Sequence, residues 1–344
     1  MNTTNLKTAR LTVFLGVAAL LTLTACGGGG STSAPPVSAP VSTLSPITAA
    51  NSTQVASNAY AANGSIGDSS TGVSSLITGV SIDGGSPGVV TPALALLKRS
   101  YASGVPVLLT GVSTTSSTQA CSGGGSITVS GIIAGTGGPS NGDKITVVAS
   151  NCVEDGAAIS GTMAMTFSNV SGNVFGSGAG AATIDLTFTD FSVAEGTTSA
   201  TVTGDMKLAM SQTATGSINL GISGTSLQSI ERKAGVKVSD FRLSNYTATV
   251  AGSGTTFSVS TNYALAGTFG SLGQLNVTVS TLQPFVVGAS GIPSAGSMII
   301  NGAASSVMAT VVPGNKVRLD YSAKGDGVIT QTNTIDWTTF VASL

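Results

Sequence analysis

Most acid–base and nucleophilic chemistry in proteins leans on histidine, and this chain of 344 residues contains none. Ser-His-Asp and Cys-His catalysis, histidine metal ligation and histidine proton switching are thereby excluded. Carboxylate, lysine and tyrosine chemistry remain. Three carboxylate pairs stand close in sequence: Glu154-Asp155, Asp185 with Asp190, and Asp320 with Asp326. Glycoside hydrolysis needs two carboxylates at a defined separation, usually beside aromatic platforms for the sugar. Trp337 is the only tryptophan. Asp185 lies between Ile184 and Leu186, so in a strand it points to the face opposite theirs. Glu154-Asp155-Gly156 reads as a turn. Solvated turns and strand faces account for all three pairs better than a catalytic site does.

Other spacings are weaker still. Lys324-Gly325-Asp326-Gly327, with Asp320 as a further oxygen donor, has half the form of a calcium loop. An EF-hand loop needs oxygen donors at alternate positions and a closing Glu. Ser322 and Lys324 occupy those places and no Glu follows, so the Gly-Asp-Gly reads as a hairpin turn between Val317–Tyr321 and Val328–Thr332. Ser122-Gly123-Gly124-Gly125 lacks the lysine and the following helix of a phosphate loop. Glu231-Arg232-Lys233 is the one dense charge run and reads as a solvated strand end. Met163, Met165, Met206 and Met210 offer a soft ligand lining, but core packing is the simpler role.

The N-terminus reads as an export signal. Lys7 and Arg10 form a positive region, and the apolar run Leu11 to Leu23 follows. The run has the length of a signal-peptide core and is shorter than the roughly 20 residues of a membrane span. It ends in Leu23-Thr24-Ala25-Cys26. These four residues resemble the lipobox of bacterial lipoproteins. The resemblance implies a thioether-linked diacylglyceryl group on Cys26, cleavage before it and acylation (palmitate or a similar chain) of the new amino group. Two or more chains make a stable anchor. Gly27 follows the cysteine, where family members retained in the inner membrane often carry Asp. The resemblance therefore implies the outer membrane, with the protein periplasmic or surface-exposed. It covers only the first thirty or so residues.

With Cys26 lipidated, Cys121 and Cys152 remain. In an oxidising compartment they are expected to pair, closing a loop that the chain-entropy model values at about 3–4 kcal/mol. The alternative is a reactive or metal-binding pair. Two thiolates without histidine need carboxylate help to complete a four-coordinate zinc site.

Charged residues make up 8% of the chain, against about 25% in ordinary soluble domains. Ser, Thr, Asn and Gly must cover the surface instead, as in exported β proteins. The near balance of 13 basic and 14 acidic residues suggests no nucleic-acid partner.

These residues must be positioned by a limited set of elements. Residues 1–25 are the signal, and 26–46 the lipidated cysteine with a Gly/Ser/Pro linker expected to be disordered. Residues 47–104 form a small helical or irregular portion. One helix is expected over Asn51–Ala62, capped by Asn51 or Ser52. A second starts at Thr91-Pro92, ends near Lys98, Arg99 and Gly104, and carries Leu94, Leu97 and Tyr101 on one face. From 105 to 344 the apolar period is two. Met163, Met165 and Phe167, then Ile184, Leu186 and Phe188, are typical, with Thr, Ser and Asn between them. Gly161, Gly204, Gly216, Gly273 and Gly296 each precede an apolar residue by two positions, suggesting strand openings in a series of hairpins. The expected fold is all-β and mainly antiparallel, a large curled sheet, open barrel or sandwich of about twelve strands, with one or two short N-terminal helices. Aromatics, at 5%, are too few for the girdles of a membrane-spanning barrel.

The chain thus reads as a lipid-anchored envelope protein and not an enzyme. No catalytic residue, metal or cofactor is assigned. Its partners are the membrane, through the lipid on Cys26, and envelope proteins in a structural or interaction role. The alternative is a periplasmic carrier of a lipid or another apolar ligand, which needs a solvent-open apolar cavity of about 300 Å³ or more.

Overall fold

Alternation of apolar with Thr, Ser and Asn suits a pleated strand with one face on a core and one in water. In the computed structural model this pattern becomes one antiparallel sheet. The structure describes residues 43–62, 92, 95–96, 115–133, 138–154, 156–174, 178–288 and 290–342. The signal segment, Cys26 and most of the linker lie outside them.

Fourteen strands follow one another as β1 (Thr115–Ala120), β2 (Ser126–Ile132), β3 (Lys144–Glu154), β4 (Ala157–Gly172), β5 (Gly180–Glu195), β6 (Thr198–Gln212) and β7 (Ile218–Lys233). They continue as β8 (Val236–Ser253), β9 (Thr256–Phe269), β10 (Gly273–Val287), β11 (Pro293–Gly302), β12 (Ser305–Val312), β13 (Lys316–Ser322) and β14 (Gln331–Asp336). Each pairs antiparallel with the next, and the sheet does not close on itself. The all-β curled sheet expected from the sequence is therefore what forms, and the apolar triplets named above line its buried face.

Strands β4 to β10 are 14–18 residues long, beyond the usual 3–10. They stay on one core because they bend at β-bulges. In β5 the buried residues Ala182, Ile184, Leu186 and Phe188 are even-numbered, while Phe191 and Val193 beyond them are odd-numbered. An extra residue, Asp190 at φ 47°, absorbs the change of parity. Asn151 (φ 48°) does the same in β3 and Asn245 (φ 48°) in β8. Asn and Asp tolerate the left-handed region better than other side-chain-bearing residues, so these bends are written locally. In β7 the shift against β6 falls between Ser223 and Leu227, so that buried Ile222 is even-numbered and buried Leu227 odd-numbered.

Three of the five glycines expected to open strands lie inside them instead. Gly161 and Gly204 lie inside β4 and β6, facing the bulges of β5 and β7. At Gly161 a Cβ would overlap the Asp190 carbonyl, and at Gly204 the Ser226 carbonyl. Glycine here permits close backbone approach at a bend. Where sequence spacing suggests about twelve strands, the described residues form fourteen, and β4 to β10 are long and bent. Gly296 also sits within its strand, against Phe285.

The first expected helix, α1, spans residues 52–62. Its cap lies earlier than expected. Asn51 N–H donates to Thr48 Oγ1 (3.2 Å) and Thr48 N–H donates to Asn51 Oδ1 (2.8 Å), a reciprocal capping box with Asn in place of Glu. Val55, Ala56, Ala59 and Ala62 are buried in the same core as the sheet. Tyr263 donates its hydroxyl to Ala59 O, and Tyr321 donates to Ile47 O at 3.0 Å. Tyr60 meets Trp337 and Phe340 of the C-terminal helix α2 (Trp337–Ala342) edge-on or tilted, with ring centres 5.0 and 5.8 Å away. The end of the expected linker is also held: Ser45 N–H donates to Asn276 O, and Ala303 N–H donates to Ser45 O. Of the second expected helix, Pro92, Ala95 and Leu96 are helical. Leu96, off the expected apolar face, is buried, and the residues of that face lie outside the described residues.

Candidate functional site

The carboxylates singled out from sequence are engaged in holding the fold. Asp185 is half-exposed and 3.2 Å from Lys207 Nζ. Asp190 sits at its bulge, where Thr203 donates to Oδ1 (3.3 Å). Glu154 accepts from Ser122 N–H (2.9 Å) and Ser122 Oγ–H (2.8 Å), while Asp155 lies outside the described residues. Asp320 is buried and accepts from Arg318 Nε and Thr332 Oγ1, both at 2.8 Å. Asp326 accepts from Ser322 Oγ (3.2 Å) and Val328 N–H (3.0 Å) in the β13–β14 loop. That loop runs from 323 to 330, and β14 starts at Gln331, three residues later than the Val328–Thr332 strand expected from the Gly-Asp-Gly turn. Met163, Met165, Met206 and Met210 are all buried core residues.

Cys121 and Cys152 form a disulfide with a Cα–Cα distance of 5.4 Å, within the usual range. Their sulfurs and a Glu154 oxygen lie within 4.8 Å of one another, but bonded sulfurs offer no thiolate to a metal. The Ser122–Gly125 run is the β1–β2 turn. It folds across β3, with Gly123 N–H donating to Val153 O and Val153 N–H donating to Gly124 O.

Two functional-looking acids escaped the sequence reading. Asp205 receives Thr225 N–H (2.8 Å), Thr225 Oγ–H (2.6 Å) and Ser226 N–H (3.0 Å), and so staples the β7 bulge. Burial works to raise its pKa, but these hydrogen bonds outweigh burial and hold it below the ordinary carboxylate value. Tyr246 donates its hydroxyl to Asp205 O, and burial followed by the nearby Asp205 charge pushes that phenol's pKa up. The arrangement is structural, because all three side-chain hydrogen bonds that Asp205 accepts come from the bend it holds.

Glu231 is different. It is read from sequence as part of a solvated charge run, yet it continues the inward-facing row of Leu227 and Ser229. It lines a cavity of about 340 Å³ at one end of the sheet, between α1, the β6–β8 strand ends and the short 3-10 turn Gly270–Leu272. Ser239 donates to Glu231 Oε2 at 2.7 Å. Desolvation raises its pKa above the ordinary value, and the Ser239 hydrogen bond only partly offsets that. The charges of Lys237 and Arg232 act instead on Asp240. Phe241 and Phe269 stack nearly parallel, ring centres 5.4 Å apart, and form the apolar side of the cavity. The signal for Glu231 was its parity with Leu227, legible only once the Thr225 bulge is known.

A buried acid with a raised pKa stabilises the fold below the unfolded carboxylate pKa and loses that contribution as pH rises through the folded pKa. Glu231→Gln, uncharged at every pH, is therefore expected to be more stable than the native protein at pH 7 and equal to it near pH 3.5. Urea midpoints at the two pH values check this. A variant equally or less stable at pH 7 would sink it. A protein keeps such a destabilising acid most readily where the acid has work to do.

Compared with known proteins, the chain matches no family model and no curated protein.

Proposed function

We propose that the chain is an exported lipoprotein, held to an envelope membrane by lipid on Cys26, whose β unit binds or assembles with other envelope components. The observation that carries this reading is the lipobox-like Leu23-Thr24-Ala25-Cys26 at the end of a signal-length apolar run. The Cys121–Cys152 disulfide supports it, since such bonds persist in oxidising compartments. So does the open sheet, whose end strand β14 has its residues almost wholly exposed, as strand addition by a partner requires.

The test is intact mass and membrane fractionation of the native protein beside a Cys26→Ala form. Acyl mass and outer-membrane sedimentation in the native form, both absent from the variant, are expected. A native protein that is soluble, free of lipid and cleaved elsewhere overturns the anchor.

Carriage of a lipid within the curled sheet has less to support it. Phe167, Phe188, Phe191, Tyr246 and Phe257 fill the inner face and are almost fully buried. A ligand has room instead in the end cavity beside Glu231.

A further inference from the structure

The cavity beside Glu231 is built unevenly in its hydrogen bonding. Its volume, about 340 Å³, lies at the small end of the range of about 300–1,000 Å³ for small-molecule sites. Glu231 Oε2 has its donor in Ser239. Glu231 Oε1 has none among the described residues. Asn58 lines the same cavity from α1 and uses its amide N–H on Gln54 O (2.8 Å). Its Oδ1 likewise receives no donor among the described residues. Gln54, one turn earlier, gives its amide N–H to Ser271 Oγ (2.9 Å) and leaves its side-chain oxygen in the same position. Glu231 thus keeps one carboxylate oxygen over, and Asn58 and Gln54, each giving one amide N–H to the protein, keep their side-chain oxygens over. Opposite them lies the apolar surface of Phe241, Phe269 and Val238.

A carboxylate oxygen without a donor, with amide oxygens and aromatic rings near it, is complementary to an ammonium. An ammonium has three N–H donors, no acceptor and a positive charge that pairs with carboxylate and with ring faces. A carboxylate or phosphate head placed on Glu231 would meet its like charge. A purely apolar ligand would leave the acceptors without water or partner, which is costly. We propose that this cavity is a binding site for a small organic amine, an ammonium head carried on a compact apolar body. The head sits on Glu231 with the amide oxygens of Asn58 and Gln54 around it, and the body lies against Phe241 and Phe269.

The charged groups around the acid allow this. Arg232 and Lys233, next along the strand, also line the cavity, but the Glu231 carboxyl feels only its burial and the Ser239 hydrogen bond, while the charge of Arg232 acts on Asp240. The residues that α1, β6 and the 3-10 turn contribute to the lining (Gln54, Asn58, Thr198, Ser199 and Ser271 among them) carry no charge. Glu231 is therefore the negative group in the cavity, and its ionisation governs binding. The site does not depend on the membrane anchor, so its failure and that of the anchoring proposal are read by separate experiments.

The test uses the full chain purified in mild detergent, titrated calorimetrically with phenethylamine and referenced to detergent buffer alone. Saturable one-site binding at pH 7.5 is expected. It should be weakened about tenfold or more by Glu231→Gln, as for loss of a charge-assisted hydrogen bond. It should weaken similarly at pH 4, where the acid is protonated. 3-Phenylpropionate, of like size but anionic, should bind the native protein at least about tenfold more weakly, a comparison that needs no variant. Absence of saturable binding by phenethylamine, equal binding of the anion, or undiminished binding by a folded Glu231→Gln protein each overturns the proposal.

Discussion

Gly161→Ala is expected to lower the stability by about 3 kcal/mol or more, because two independent penalties coincide there. The residue has φ 102°, a conformation that side-chain-bearing residues rarely adopt, and forcing one into it costs about 1–3 kcal/mol. The new Cβ would also overlap the Asp190 carbonyl and the Phe191 Cα. Neither can retreat easily, since Phe191 is fully buried and Asp190 is the bulge on which β5 turns. Relief requires the β4–β5 bend to open, and that bend keeps both halves of the pair on one core. Gly221→Ala is the control. It lies in β7 with ordinary φ, and its Cβ would meet only Ala209 at 3.8 Å. Without strain, Gly→Ala is neutral or stabilises by up to about 1 kcal/mol. Urea unfolding of the two variants compares them directly. Equal midpoints would show that the bend tolerates a side chain and that its role here is misassigned.

Removing the disulfide, by Cys121→Ala with Cys152→Ala or by reduction, is expected to cost about 2–5 kcal/mol. The bond spans a sequence separation of 31 residues. It joins the β1–β2 turn to β3, at the end of the sheet where strands are short. Both half-cystines are buried, so the variant also loses packing around the sulfurs. The turn keeps the paired bonds between Gly123, Gly124 and Val153 and the Ser122–Glu154 contacts. Loss should therefore be felt first as faster amide exchange in β1 and β2, and then as a lower unfolding midpoint. A midpoint unchanged by reductant in a protein shown to be reduced would mean that the hydrogen bonds alone hold this end.

Much of the molecule was legible in its residues because period-two alternation is a local signal. Ile184, Leu186 and Phe188, or Met206, Leu208 and Met210, announce strand and buried face together, since a pleated chain sends alternate side chains to opposite sides. The absence of histidine is likewise a fact of composition, and the pairing of Cys121 with Cys152 was expected from the count once Cys26 is set aside by the lipobox resemblance.

Parity across bulges was not legible. Counted straight through β3 from Ile145, Val147 and Ala149, Cys152 falls on the outer face; the extra residue at Asn151 turns it inward to its partner. The same arithmetic hid Glu231, which only the Thr225 bulge aligns with the buried row. A bulge is decided by the neighbouring strand, where Asp205 or a glycine such as Gly161 or Gly204 waits some 20 to 30 residues away in sequence. The sequence by itself thus determined the strands, the inward-facing triplets and the disulfide partners, because each rests on chain-local periodicity or on counting. Tertiary structure decided where long strands bend, which side of a bend each later side chain occupies, and that Glu231, Asn58 and Gln54 share one cavity. Those outcomes depend on close backbone approach between strands, and on the packing of a helix against a sheet that begins more than fifty residues after it.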